Sequence, residues 1–145
     1  MDKTFGVRDP RLDYFTRPGA YLIQINNGRL ACVRTPKGHF LLGGGLEGQE
    51  SHADCIRREC LEEAGLAVTV GPYLCCAETY CMHHRIGPFH PVQYYYACEI
   101  QGRVTAPIEP DHTFTWLPLG ELEQRMYVPQ QIWAVQHSLR LRKEV

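Results

Sequence analysis

The chain has 145 residues, 44% of them hydrophobic and 21% charged, which suits one globular domain spanning residues 1–145 with a single sizeable core. Fifteen basic and sixteen acidic side chains leave a formal net charge of -1, so the electrostatic footprint needed for a nucleic-acid duplex is missing. No apolar run approaches a membrane span, and seven cysteines in apolar or helical runs, without CxxC or zinc-finger spacing, read as reduced thiols. A soluble, cytoplasmic protein is expected, since MDKTFGVRDPRLDYF lacks a signal-peptide core.

Residues 1–17 form an N-terminal arm or edge strand, packed by Tyr14 and Phe15; Arg8, Arg11 and Arg17 are its candidates for touching a phosphate. Gly19 to Arg34 reads as a β-hairpin about Asn26-Asn27-Gly28, residues that tolerate positive φ. A turn at Thr35-Pro36-Lys37-Gly38 and a short strand His39–Leu42 follow. A helix is expected from Ser51 to Ala64, capped by Ser51 with Asp54 near the capping-box position, and closed by Gly65. Ala53, Ile56, Cys60 and Ala64 fall on one apolar stripe at about 100° per residue, with Glu59, Glu62 and Glu63 on a neighbouring one.

Ala67–Tyr80 is a strand bent at Gly71-Pro72, Cys81–Pro91 a loop, and Val92–Ile100 an aromatic-rich strand. In that strand Tyr94, Tyr95 and Tyr96 alternate faces, so one or two enter the core and one is free to stack on a base. Cys75 and Cys76 read as one core and one surface thiol. A turn-rich connection, 102–112, leads to a strand Thr113–Leu117, a short helix Leu119–Arg125, and a final helix from Pro129 to about Arg142. Helices on both sides of a mixed β-sheet give an α/β fold.

The stretch Gly43–Leu66 carries the chemistry. Glycines bring backbone close to the helix, and Glu50, Glu59, Glu62 and Glu63 crowd like charges that a divalent cation on oxygen ligands would neutralise. With neither His nor Cys placed in the cluster, Mg²⁺ (or Mn²⁺) is the expected ion. Arg58 suits a guanidinium that pins a carboxylate, Glu50 being the candidate.

The pattern Gly44-x5-Glu50-x7-Arg58-Glu59-Cys60-Leu61-Glu62-Glu63-Ala64-Gly65-Leu66 resembles the Nudix box, departing only in Cys60, where a larger aliphatic residue is usual. The resemblance implies a MutT-like Nudix hydrolase, an α/β/α sandwich that cleaves a nucleoside diphosphate linked to another moiety by water attack at phosphorus. It implies metal binding by the Gly43 carbonyl and by Glu59, Glu62 and Glu63, water activation by Glu59 or Glu63, and bracing by Arg58 with Glu50. An acidic residue outside the box often completes such sites, which makes Glu109, Asp111 and His112 candidates. Arg34 and Arg85 are further candidates for substrate contact. A module that binds nucleotide without hydrolysing it is the alternative. The substrate is a small nucleotide in either case, with no membrane partner, in a monomer or homodimer. A zinc site on Cys81, His83, His84 and His90 is disfavoured by the adjacent histidines.

Overall fold

The computed structural model describes residues 1–143. Strand β1 (Lys3–Phe5) lies at one edge, and β2 (Phe15–Ile23) leads into the short β3 (Ile25–Asn26). Asn27 and Gly28 turn the chain with φ of 51° and 74°, the pair of positive values that a tight hairpin requires. β4 (Arg29–Thr35), β5 (Gly38–Phe40) and β6 (Gly43–Gly45) follow, and β6 delivers the chain to helix α1 (His52–Ala64). After α1 come the long β7 (Leu66–Thr79), the short β8 (Cys81–His83) and β9 (Gly87–Arg103). The chain closes with β10 (Thr113–Pro118), a 3-10 turn at Leu119–Glu121, α2 (Leu122–Arg125) and α3 (Pro129–Lys143).

Two sheets result. The larger runs β1-β7-β9-β2-β6 with β8 added to β9, and it is mixed: β1/β7 and β2/β9 are parallel, the other pairs antiparallel. The smaller runs β10-β4-β3 with β5 on β4, all antiparallel. The two sheets share two apolar cores on their opposite sides. Ile56, Cys60 and Ala64 of α1 pack with Ala20, Leu22, Val33 and Leu42. Ala134 and Val135 of α3 pack with Ile23, Cys32, Leu41 and Tyr95. Period-2 alternation sends adjacent residues to opposite cores, as with Cys32 and Val33. The expected α/β/α arrangement with a mixed sheet is what forms.

Local signals act as read for α1. Ser51 Oγ accepts the Asp54 N–H at 3.1 Å, and Gly65 at φ 67° returns its N–H to Cys60 and Leu61 carbonyls. Asp54 does not close a capping box; its carboxylate meets Arg57 at 3.3 Å. The buried stripe takes in Cys55 and Glu63, while Ala53 is only half-buried. The bend at Gly71-Pro72 is real: the β7/β9 register shifts between Val70 and Tyr73, where Gly71 lies so close to the Ala97 carbonyl that a Cβ would sit 2.5 Å from its oxygen.

Three expectations are corrected. Residues 81–91 are a hairpin and not a loop: His83 Nδ1 accepts the N–H groups of Arg85 and Ile86 at 3.1 and 3.3 Å, and Gly87 turns at φ 89°. The turn is closed by an imidazole, a signal that Gly/Pro counting misses. β2 begins at Phe15, because Thr16 through Pro18 pair in parallel with His90 through Val92. Cys75 and Cys76 are both buried, at 1% and 5% exposure, because β1 and the Asp2 carboxylate (2.8 Å from the Cys76 nitrogen) cover that edge.

Candidate active site

Helix α1 presents its charged residues to the glycine strand β6, and Arg58 is the hub. Its Nε and Nη2 grip Glu50 in a two-pronged pair at 3.1 and 2.7 Å, and Nη2 also reaches the Gly45 carbonyl at 3.1 Å. Nη1 meets Glu59 at 2.9 Å and Glu62 at 3.2 Å. The guanidinium holds the Glu50 carboxyl down at about 2. Burial pushes Glu59 up in spite of Arg58.

Glu63 is the most enclosed of the four. Its Oε1 accepts the Gly43 N–H at 2.9 Å, yet burial, reinforced by the nearby charges of Glu59, Glu109 and Glu62, pushes the carboxyl up to about 8. Oε2 lies 3.7 Å from His112 Nδ1, which has no hydrogen-bond partner among the described residues. The connection carrying His112 is tied to the end of α1 by N–H groups of Ile108 and Glu109 on the Glu62 carbonyl, at 2.8 and 3.1 Å.

Gly44 allows this closeness. A Cβ there would sit 2.6 Å from the Glu59 carboxyl, so any other residue would drive Glu59 out.

The donors suit a hard divalent cation: three carboxylates on one helix, one of them buried without an opposite charge, beside glycine carbonyls. Among the described residues no three His, Cys, Asp or Glu groups converge on one point as the side chains stand, because Arg58 Nη1 lies between Glu59 and Glu62. The zinc reading of 81–90 fails on the same ground: His83 Nδ1 is engaged by its own turn, and His90 is bound on both nitrogens, by Thr16 at 2.9 Å and Glu78 at 2.6 Å.

A cavity of about 510 Å³ opens beside Gly43 and Glu63, with Asp111, His112, Lys37 and Gln93 in its walls. The structure therefore brings Asp111 and His112 to the carboxylates. Glu109 is exposed and off the cavity wall. Arg34 is exposed too: Val33 and Thr35 line the cavity, and alternation along β4 turns Arg34 away. Arg85 stands exposed in the β8/β9 turn. Of the three tyrosines, Tyr95 is fully buried, while Tyr94 and Tyr96 gather around His52 at the start of α1, with Tyr96 OH 2.7 Å from its Nδ1. Lys37, Tyr21, Gln93 and Gln131 were missed as cavity residues. A glutamine in the apolar and aromatic middle of a strand, as Gln93 is between Val92 and Tyr94, is the available signal.

A charged helix with this glycine strand and cavity defines the Nudix class of site, and the wider comparisons agree. The NUDIX domain profile matches residues 15–137, and the chain belongs to that family. The fold is similar to that of a MutT NUDIX hydrolase from Burkholderia pseudomallei, at TM-score 0.70 and 21% identity over 85% of this chain and 98% of the other. It is also similar to a UDP-X diphosphatase, at TM-score 0.69 and 18% identity over 92% and 68%. An ADP-ribose pyrophosphatase from Streptococcus suis aligns at TM-score 0.65 and 16% identity over 87% and 91%. No curated protein matches the sequence. Among the described residues no helix is long and apolar enough to cross a membrane.

Proposed function

We propose that the protein is a Mg²⁺- or Mn²⁺-dependent pyrophosphohydrolase acting in the cytoplasm on a small nucleotide, a nucleoside diphosphate linked to another moiety. The observation that carries this reading is the complete charged helix: Arg58 clamps Glu50 and draws Glu59 and Glu62 together beside a buried Glu63 and an open cavity. Glu59, Glu62, Glu63 and the Gly43 carbonyl are the residues to hold the cation. Bound there, the cation screens phosphate oxygens and lowers the pKa of a water. The chain's own residues do the rest. Glu59 or Glu63 takes a proton from the attacking water as its oxygen bonds to phosphorus. The bridging P–O bond breaks, and the departing phosphate takes the electron pair. Arg58 and Glu50 keep α1 in register with β6. A UDP-X diphosphatase and an ADP-ribose pyrophosphatase share the fold, which supports a substrate of this general class, and the choice within it is set outside the box.

Products are to be assayed over a panel of nucleotides with each metal, with Glu62→Gln and Glu63→Gln as controls. Turnover in wild type that both variants abolish is the expected result. Unchanged turnover in both variants removes the metal assignment, and tight nucleotide binding without any product identifies a sensing module instead.

A further inference from the structure

The larger sheet ends in a strip that is lightly attached. β1 is three residues long, and it sets Lys3 opposite Ala77, Thr4 opposite Glu78 and Phe5 opposite Thr79. Alternation sends its side chains to two faces. Phe5 turns to the α3 side, where it packs against the core that holds Ala134 and Val135. There Phe5 and Thr79 form the outer wall of a second cavity of about 380 Å³, whose other walls come mainly from β2, the β8/β9 hairpin and the start of α3. Thr4 turns to the opposite face, and its hydroxyl donates to Glu78 Oε2 at 2.7 Å.

Polar bonds do most of the holding. The Asp2 carboxylate accepts the Cys76 N–H at 2.8 Å, and the Tyr80 N–H donates to the Phe5 carbonyl at 2.9 Å. Residues 1–4 are exposed and Phe5 is half-buried, so little apolar area adds to these bonds. Gly6 follows at φ 76°, and a Cβ there would sit 2.3 Å from the Tyr80 carbonyl oxygen. Glycine alone lets the chain leave the sheet edge at that point.

Beyond Gly6 the chain passes to β2 on the far side of β9, and it is anchored independently. The Tyr14 ring meets Tyr80 edge-on at 5.1 Å, and its hydroxyl accepts the Asp9 N–H at 3.1 Å. Tyr80 in turn lies flat on the His90 imidazole at 4.3 Å, which Glu78 and Thr16 fix from both nitrogens. None of these contacts needs residues 1–5.

We propose that residues 1–5 are a flap hinged at Gly6, which swings off the edge of β7 while the arm through Tyr14 stays in place, and so opens and closes the outer wall of the second cavity. Asp2 and Glu78 are its latches. Only the consequence, passage of a ligand beside Phe5, rests on the hydrolase reading. Opening frees the Cys76 and Tyr80 amides and uncovers the Cys76 thiol. Burial, with the Asp2 carboxylate beside it, pushes that thiol up to about 11. Departure of the strip weakens both causes, so the thiol gains reactivity.

The test is amide exchange across a range of denaturant, with thiol labelling by a small aromatic disulfide in a Cys81→Ser background that lacks the exposed cysteine. The Cys76 and Tyr80 amides are expected to exchange in step, with little dependence on denaturant. They should run at least about tenfold faster than the Leu22 amide, which is bonded to the Leu42 carbonyl and reports global unfolding. Gly6→Ala strains the hinge and should raise both amide rates and the Cys76 labelling rate together, by at least about tenfold. Thr4→Val removes one latch at similar volume and touches neither amide, yet both should rise by at least about threefold. With a nucleotide that the protein turns over, Gly6→Ala should move KM by at least about threefold while kcat stays within about twofold.

Should Gly6→Ala fail to fold, Thr4→Val and the wild-type pattern decide. Edge amides that share the denaturant dependence of Leu22, or that Thr4→Val leaves at wild-type rates, overturn the flap. An unchanged KM in Gly6→Ala with the edge amides freed overturns its part in ligand passage. Flap opening in a protein that turns over no nucleotide removes the hydrolase reading and leaves the flap standing; turnover in a protein whose edge amides follow Leu22 does the reverse.

Discussion

The two ends of the cleft are held by different physics. At α1 the groups are ionic, and one guanidinium shares itself among Glu50, Glu59, Glu62 and the Gly45 carbonyl. At the floor near β9 they are neutral, and a chain of hydrogen bonds runs from Leu41 through Gln131 to Gln93, with Tyr95 and Tyr21 attached. Ionic contacts tolerate a change of partner, which suits this rim to the cation proposed above. Amide contacts have a sense, and a buried amide turned the wrong way leaves two groups unsatisfied at about 1–3 kcal/mol each. Charge thus holds one end and oriented polarity the other.

That separation can be broken deliberately. The largest effect is expected from Glu63→Gln. Glutamine still accepts the Gly43 N–H and matches the protonated carboxyl that burial favours, so the melting temperature should hold while kcat falls by about 10²–10³. A matching collapse in melting temperature would mean that Glu63 is structural. Arg58→Ala comes next. It leaves Glu50, Glu59 and Glu62 without their shared cation and should cost on the order of 3 kcal/mol in denaturant unfolding, with Arg58→Lys recovering only part because the two-pronged grip on Glu50 needs a guanidinium. An unfolding free energy unchanged in Arg58→Ala would show that the clamp carries no stability.

Acid titration gives a smaller signal with a definite sign. The Glu50 carboxyl is held at about 2 in the folded protein against an ordinary 4.5, so its contribution is complete above about pH 4.5 and fades as the pH falls toward 2. Allowing for its partial solvent contact, the contribution is of the order of 2 kcal/mol, and Glu50→Gln should flatten the unfolding free energy across that window. A variant whose acid profile overlays that of wild type would remove the claim. The smallest effect belongs to Cys60→Val. Cys60 is fully buried in the α1 core, so the change should move stability by less than about 1.5 kcal/mol and leave turnover alone.

The same division explains what the sequence disclosed. Ser51, Gly65 and the spacing of Arg58 to Glu63 specify α1 locally, and the turn at Asn27-Gly28 needs only two residues that accept positive φ. The hairpin expected over 19–34 is shorter than read: only Ile25 and Asn26 pair across the turn, while β2 joins β9 and β6 in the other sheet. The grip of Arg58 on Glu50 was legible too, since the two lie close in the chain, one just before α1 and the other in its middle. Remote contacts decided the rest. Thr16 through Pro18 become strand because His90 through Val92 lie alongside them, and Cys76 is buried because Asp2 reaches its backbone. Asp111 and His112 reach the site only because the preceding connection is tied to Glu62. The glutamine relay joins residues from three separate segments, Leu41, Gln93 and Gln131, and no local pattern relates them.

Leu41 gives that relay an unusual inheritance. Its N–H belongs to the backbone and survives every substitution at position 41 except proline, so the sense of the whole chain is set by something point mutation can scarcely alter. Drift at position 131 is confined to side chains that accept at one end and donate at the other, a list little longer than the two amides and neutral histidine. Such a relay should change by abrupt reversals of hydrogen-bond sense, when a residue at 131 or 93 swaps its ends, with the carboxylate rim untouched.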